Sequence, residues 1–91
     1  MVNKSYRQLE RIVKGFANHR RIEIMDLLKK EPELSVIDIA DKLDINYKTA
    51  AEHIRRITIA GLLIKRSAGN EVRHKLTDQG LTILKFLRTL E

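Results

Sequence analysis

Asn46, Tyr47, Lys48 and Thr49 follow one another at the head of a helical stretch, and each side chain donates or accepts hydrogen bonds. Four such groups at a helix N-terminus suit the edges of base pairs, which display donors and acceptors in a groove wide enough for one helix. Ala51 is small enough to admit close approach or to meet a thymine methyl. Arg55 and Arg56 lie one or two turns deeper, where phosphate oxygens are the better partners. Glu52 shares that face, and its plainer reading is an exposed polar residue on an amphipathic helix. A second set of cations, Lys65, Arg66, Arg73 and Lys75, follows closely. The chemistry on offer is recognition of a polyanion rather than bond making. No Gly-rich phosphate loop and no nucleophile beside a visible base can be picked out, which points to a non-enzyme.

The charge distribution sharpens that reading. The 91-residue chain has a formal net charge of +6, and residues 46–76 hold seven Lys/Arg against two acidic residues. Nearly all the excess positive charge therefore sits in one third of the sequence. The bland alternative is a solvated basic surface, and a polyanionic partner is the sharper one. A chain of this length, 43% hydrophobic and only 4% aromatic, suits one small domain over residues 1–91, its core built from Leu, Ile, Val and Ala. There is no cysteine, so disulfides and thiolate metal sites are excluded, and a reducing compartment is suited. No signal-like start and no apolar run near a membrane-spanning length is present, so a cytoplasmic protein with no membrane partner is expected.

The elements that must position these residues are mostly helical. Ser5 and Gln8 make an S-x-x-Q capping box, after which Tyr6, Leu9, Ile12, Val13 and Phe16 recur at helical spacing, and Gly15 marks a stop or bend. Asn18 caps a second helix running to about Lys30, which Glu31-Pro32 ends. Ser35 and Asp38 then start a short helix, with Leu34 and Ile39 as a hydrophobic staple. Asp44 takes the sharp turn, where positive φ is expected, and Asn46 caps the next helix. Ala50, Ile54 and Ile57 of that helix should face the core. The span 35–60 thus reads as a helix-turn-helix.

After Gly61, a left-handed cap, the period changes. Residues 62–67 and 72–76 are β-compatible runs either side of a turn-rich link at 68–71, a hairpin expected over 62–76. Alternation in the second run puts Arg73 and Lys75 on one face. Thr77 caps a last helix from Asp78 to Leu90, whose apolar residues cover more than the ~100° stripe one contact needs. The first helix is apolar as well. We therefore expect Tyr6, Leu9, Val13 and Phe16, with Leu81, Leu84, Leu87 and Leu90 of the last helix (77–90), to join two chains as a homodimer. The fold class is mainly α with a small β-hairpin: a winged helix-turn-helix of about five helices and a two- or three-stranded wing.

Residues 16–90 resemble the ArsR/SmtB family of winged-helix repressors. FANHRRIEIMDLL is similar to that family's opening segment, VIDIADKLDINYKTAAEHIRRITIAGLL to its helix-turn-helix, and KRSAGNEVRHKLT to its wing. The resemblance implies a homodimer whose recognition helices enter successive major grooves of double-stranded DNA. The sequence departs from the family pattern at His19, Asp44, Ala51 and His74, where Pro, Gly, Ser and Tyr are common. His53 matches the family's histidine, with packing at the core edge as its plainer role. The metal-sensing members carry a Cys-containing motif or paired Asp/His ligands on the last helix, whereas here that helix offers Asp78 and Glu91 with no His. No metal and no cofactor are expected. The expected function is sequence-specific DNA binding as a transcriptional regulator, a repressor. A winged helix serving as a protein–protein module, or a sequence-neutral architectural DNA binder, are the competing classes.

Overall fold

The computed structural model describes residues 3–91 and contains five helices and one hairpin. The helices are α1 (Tyr6–Phe16), α2 (His19–Lys30), α3 (Val36–Leu43), α4 (Tyr47–Ile59) and α5 (Asp78–Arg88); the strands are β1 (Leu63–Ala68) and β2 (Glu71–Leu76). Every helix starts on a side chain able to satisfy orphan amides. Ser5 and Ser35 close full capping boxes with Gln8 and Asp38, Asn18 and Asn46 each accept two backbone N–H groups, and Thr77 accepts from Gly80.

The core gathers Ile24, Met25 and Leu28 of α2 with Ile39 of α3, Ile54 and Ile57 of α4, and Leu62, Leu63 and Leu76 at the base of the hairpin. Phe16 and Leu84 close its two ends, 9% and 6% exposed. Both were expected in a dimer interface. These two side chains point into the core instead, so their apolar surface is already removed from water within one chain.

Gly15 stands one residue before α1 ends at Phe16, at the stop expected there, and it also has a packing role: it is buried, and a Cβ at this position would collide with the Ala60 side chain. Gly15 is what lets the end of α1 press against the end of α4. Similarly, Gly80 carries no Cβ because the Leu62 carbonyl stands in that place, which seats α5 on the strand entry.

The hairpin is antiparallel, with Leu63 opposite Leu76, Lys65 opposite His74, Arg66 opposite Arg73 and Ala68 opposite Glu71. Its turn is only Gly69-Asn70, tighter than the four-residue link expected, because Gly69 takes φ +65° and lets the strands pair out to Ala68 and Glu71. The third strand reduces to one bridge: His74 N–H donates to Leu34 O at 2.9 Å and Glu33 N–H to His74 O at 3.0 Å. α5 ends at Arg88, short of the expected Leu90.

Candidate nucleic-acid interface

The turn between α3 and α4 is made by Asp44, at φ 52° and ψ 52°, and by Ile45, whose N–H donates to Ala40 O at 3.0 Å. A left-handed aspartate here performs the role often given to glycine, at a cost on the order of 1 kcal/mol. Ala40 is buried where α3 meets α4, and its small side chain permits the close crossing. α4 extends roughly 20 Å at ~1.5 Å per residue, with Ala50, Ile54 and Ile57 buried. That inward stripe fixes the outward one. Tyr47, Lys48, Thr49, Glu52, Arg55 and Arg56 are all exposed, and Ala51 is half-buried beside them.

Asn46 differs from its neighbours. Its Oδ1 accepts Lys48 N–H at 2.8 Å and Thr49 N–H at 3.4 Å, so its acceptor is engaged in starting the helix and only its amide donors stay free. Further along, one carboxylate organises two cations. Arg55 donates to Glu52 through Nε and Nη2 at 2.9 and 2.8 Å, and Arg56 donates through Nε at 2.9 Å. The Arg55 hydrogen bonds, with those of Arg56 adding, hold the Glu52 carboxyl down at about 2. Glu52 is thus a positioning carboxylate that leaves the trio with one net positive charge. Its spacing to Arg55 and Arg56, i+3 and i+4, was visible in the sequence.

In the wing the four cations divide. The register puts Arg66, Arg73 and Lys75 on one face with Ile64, and Lys65 on the other beside His74. Two of the three on the shared face have a carboxylate. Arg66 grips Glu33 through Nε at 2.9 and 3.1 Å and Nη2 at 2.7 Å, and Arg73 reaches Glu71 at 3.3 Å. The Arg66 hydrogen bonds pull the Glu33 carboxyl below its usual range. Glu33 itself has φ 70°, a left-handed conformation that aims the loop between α2 and α3 at the wing. Sequence reasoning missed this residue, since 33 positions separate it from Arg66 and only the Pro32 before it hinted at an unusual backbone.

His74 is the buried polar residue of the wing, 2% exposed, with Nδ1 3.0 Å from Leu34 O. Burial pushes its imidazole below the usual histidine value, with the Leu34 carbonyl opposing and Lys65 adding to the shift. His53 packs at the core edge, its Nδ1 buried without a partner; burial and then the nearby Arg21 lower its pKa. Among the described residues, no three of His, Asp and Glu gather where they could hold a metal ion.

The apolar face of α1 and α5 stays open. Tyr6, Leu9 and Val13 of α1 and Leu81 of α5 are exposed, Leu90 follows the end of α5 and is exposed too, and Leu87 is half-buried. Phe86, absent from the interface expected from sequence, is 54% exposed and extends the same open set.

Residues 18–62 match the winged helix-turn-helix DNA-binding family, a span that begins at the α2 cap and ends where α4 hands over to the wing. Two curated relatives from Staphylococcus aureus are similar over more of the chain. The arsenical resistance operon repressor is 27% identical over 89 residues, covering 93% of this chain and 85% of the relative. A cadmium resistance transcriptional regulatory protein CadC homolog is 29% identical over 69 residues, 76% of this chain, and the chain spans only 57% of that relative's length. Among solved structures, the homodimeric winged helix-turn-helix DNA-binding domain of a possible ArsR-family transcriptional regulator from Mycobacterium bovis superposes with a TM-score of 0.83 at 26% identity, covering 99% of this chain and 89% of that one. These relatives are regulators of transcription rather than enzymes, as expected from the sequence. Helix-turn-helix, hairpin and these likenesses together give this chain a winged helix-turn-helix fold similar to that of ArsR-family transcriptional regulators.

Proposed function

We propose that the chain is a cytoplasmic repressor that binds a specific double-stranded operator as a homodimer. The single observation carrying this is the alignment of sequence charge with exposed geometry: the segment holding seven of the cations against two acids folds into one outward helix face and the hairpin beside it. Tyr47, Lys48 and Thr49 meet base edges at the head of α4, and Ala51 allows the close approach. Asn46 contributes through its amide donors alone. Arg55 and Arg56, presented by Glu52, neutralise phosphates, and Lys65, Arg66, Arg73 and Lys75 extend those contacts from the wing. Dimerisation through Tyr6, Leu9, Val13, Leu81, Leu87 and Leu90, with Phe86 added, doubles the set. The homodimeric Mycobacterium bovis domain and the repressor named among the Staphylococcus aureus relatives favour this form.

Fluorescence anisotropy of a labelled random ~30-bp duplex across a salt series tests the surface. Micromolar binding that weakens steeply with salt is the expected result, and an operator selected next should bind roughly 10³-fold or more tightly than random duplex. Equal affinity for both would make it a sequence-neutral architectural protein. No binding at low salt would direct attention to a protein partner.

A further inference from the structure

A cationic surface that shares Arg55 and Arg56 with the recognition helix lies away from the head of α4 and away from the wing. Arg11 and Lys14 of α1, Arg21 of α2 and Arg55 and Arg56 of α4 line one open cleft of roughly 410 Å³, floored by Gly15, Ile59 and Ala60. Among the described residues, no carboxylate lines it. The nearest acids are those already paired, Glu10 with Lys14 at 3.7 Å and Glu52 with the two α4 arginines.

Close helix packing is what assembles this cleft. Without a side chain at Gly15, α1 and α4 close on each other, and that contact brings the cations of both helices to one place against their mutual repulsion. Arg21 is fixed there by its own geometry: Nη1 donates to Lys14 O at 2.9 Å, at the end of α1, while its buried Nε has no partner. A buried donor without a partner is costly. Arg55 and Arg56 also keep guanidinium N–H groups beyond those given to Glu52. On the α1 wheel, Arg11 and Lys14 lie on the flank opposite Leu9 and Val13, so a dimer through the apolar face leaves the cleft open.

We propose that this cleft binds a phosphate-class polyanion. Arg11, Arg21, Arg55 and Arg56 place four guanidinium groups and Lys14 an ammonium around the cleft, a set that matches the multiple charge and several oxygens of a phosphate group. The phosphate comes either from a free small molecule or from a DNA backbone that reaches past the recognition helix, and the proposal does not require the DNA-binding reading because its first test contains no DNA.

The test is a ¹H–¹⁵N NMR titration of the chain with pyrophosphate at constant ionic strength. Saturable shifts centred on Gly15, Arg21 and Ala60 are expected. Arg11→Gln with Arg21→Gln should weaken binding by ~10-fold or more, as loss of charge-assisted hydrogen bonds implies. Removing the same charge by Lys29→Gln with Lys85→Gln, on exposed positions elsewhere, should change it little. Because Arg21 also ties α1 to α2, Arg11→Gln alone, at an exposed residue, serves if the double variant fails to fold. Shifts that do not saturate, that spread over the whole surface, or that the Lys29/Lys85 variant abolishes equally would overturn the site. A duplex added afterwards separates the sources. If it shifts Gly15 and Ala60 and blocks pyrophosphate, the phosphate is the DNA's; if pyrophosphate still shifts them, the site takes a free anion.

Discussion

The recognition helix, with three cations against one acid, and the wing, with four against one, hold their cations differently. On α4 two arginines share one carboxylate, Glu52, and the trio keeps a positive charge. On the wing each arginine has its own acid, Arg66 with Glu33 and Arg73 with Glu71, so these pairs are neutral and the free charge rests on Lys65 and Lys75. Counting cations therefore overstates what a surface offers. An arginine matched one to one must break an ion pair before it can serve a phosphate, whereas a shared carboxylate orients two and releases one in charge terms.

The largest effect of this contrast falls on DNA affinity. Arg55→Gln with Arg56→Gln removes four phosphate-neutralising groups from a dimer and should weaken binding on the order of 100-fold at moderate salt, with the log–log salt slope flattened by about 0.9 for each phosphate no longer neutralised. Arg66→Gln with Arg73→Gln removes the same formal charge from the wing and should weaken binding much less. Anisotropy titrations of both variants on one duplex decide it. Equal losses would mean that the neutral pairs of the free wing dissolve on DNA without cost, and the comparison would fail.

A smaller effect separates the two regions by pH. The wing is pinned to the loop after α2 through buried His74, whose pKa is lowered by burial. As pH falls, the unfolded chain takes up this proton before the folded one does, so the unfolded state binds more protons and stability declines. The contribution is complete above the ordinary value of 6.5 and is lost progressively below it. Melting temperature measured from pH 7.5 to 5.0 should therefore drop by a few degrees more in the native chain than in His74→Gln, which keeps a donor for Leu34 O and does not titrate. His53 shifts in the same direction and adds to the decline in both proteins. Parallel melting curves would show that His74 does not couple the wing to pH.

How much of this was legible follows the distance along the chain over which each contact acts. The caps at Ser5, Asn18, Ser35, Asn46 and Thr77 reach no further than three residues, so residue type and spacing suffice to find them. The left-handed Asp44 and Gly61, and the inward stripe of Ala50, Ile54 and Ile57, are equally local. The Leu34–His74 bridge, the Glu33–Arg66 pair and the 62-residue reach from Arg88 to Asp26 depend on how elements pack, which periodicity does not encode. Phe16 and Leu84 show the same limit. Helical spacing marks them as apolar, but whether such a side chain turns to its own core or to a partner depends on how the elements pack, and here both belong to the core cluster.

The smallest effect bears on the carboxylates themselves. Glu52→Gln and Glu33→Gln each remove one surface acid and release arginine from a salt bridge, and surface ion pairs contribute little to stability. Both should lower the melting temperature by less than the His74 effect, yet their local consequences should differ. Glu52 acts within one turn of α4, whose backbone hydrogen bonds persist without it, so amide exchange along α4 should be nearly unchanged. Glu33 spans from the α2–α3 loop to β1, and it holds a left-handed backbone that costs on the order of 1 kcal/mol when no contact offsets it. Its loss should raise exchange at Glu33 N–H and His74 N–H, the two amides of the bridge beneath the wing, while the Gly69 turn stays as it is. Hydrogen exchange by NMR reads both variants at residue resolution. If Glu52→Gln loosens α4 as much as Glu33→Gln loosens the bridge, the local and the long-range clamp are mechanically alike; if only the bridge opens, Glu33 is what sets the wing's angle to the helix it accompanies.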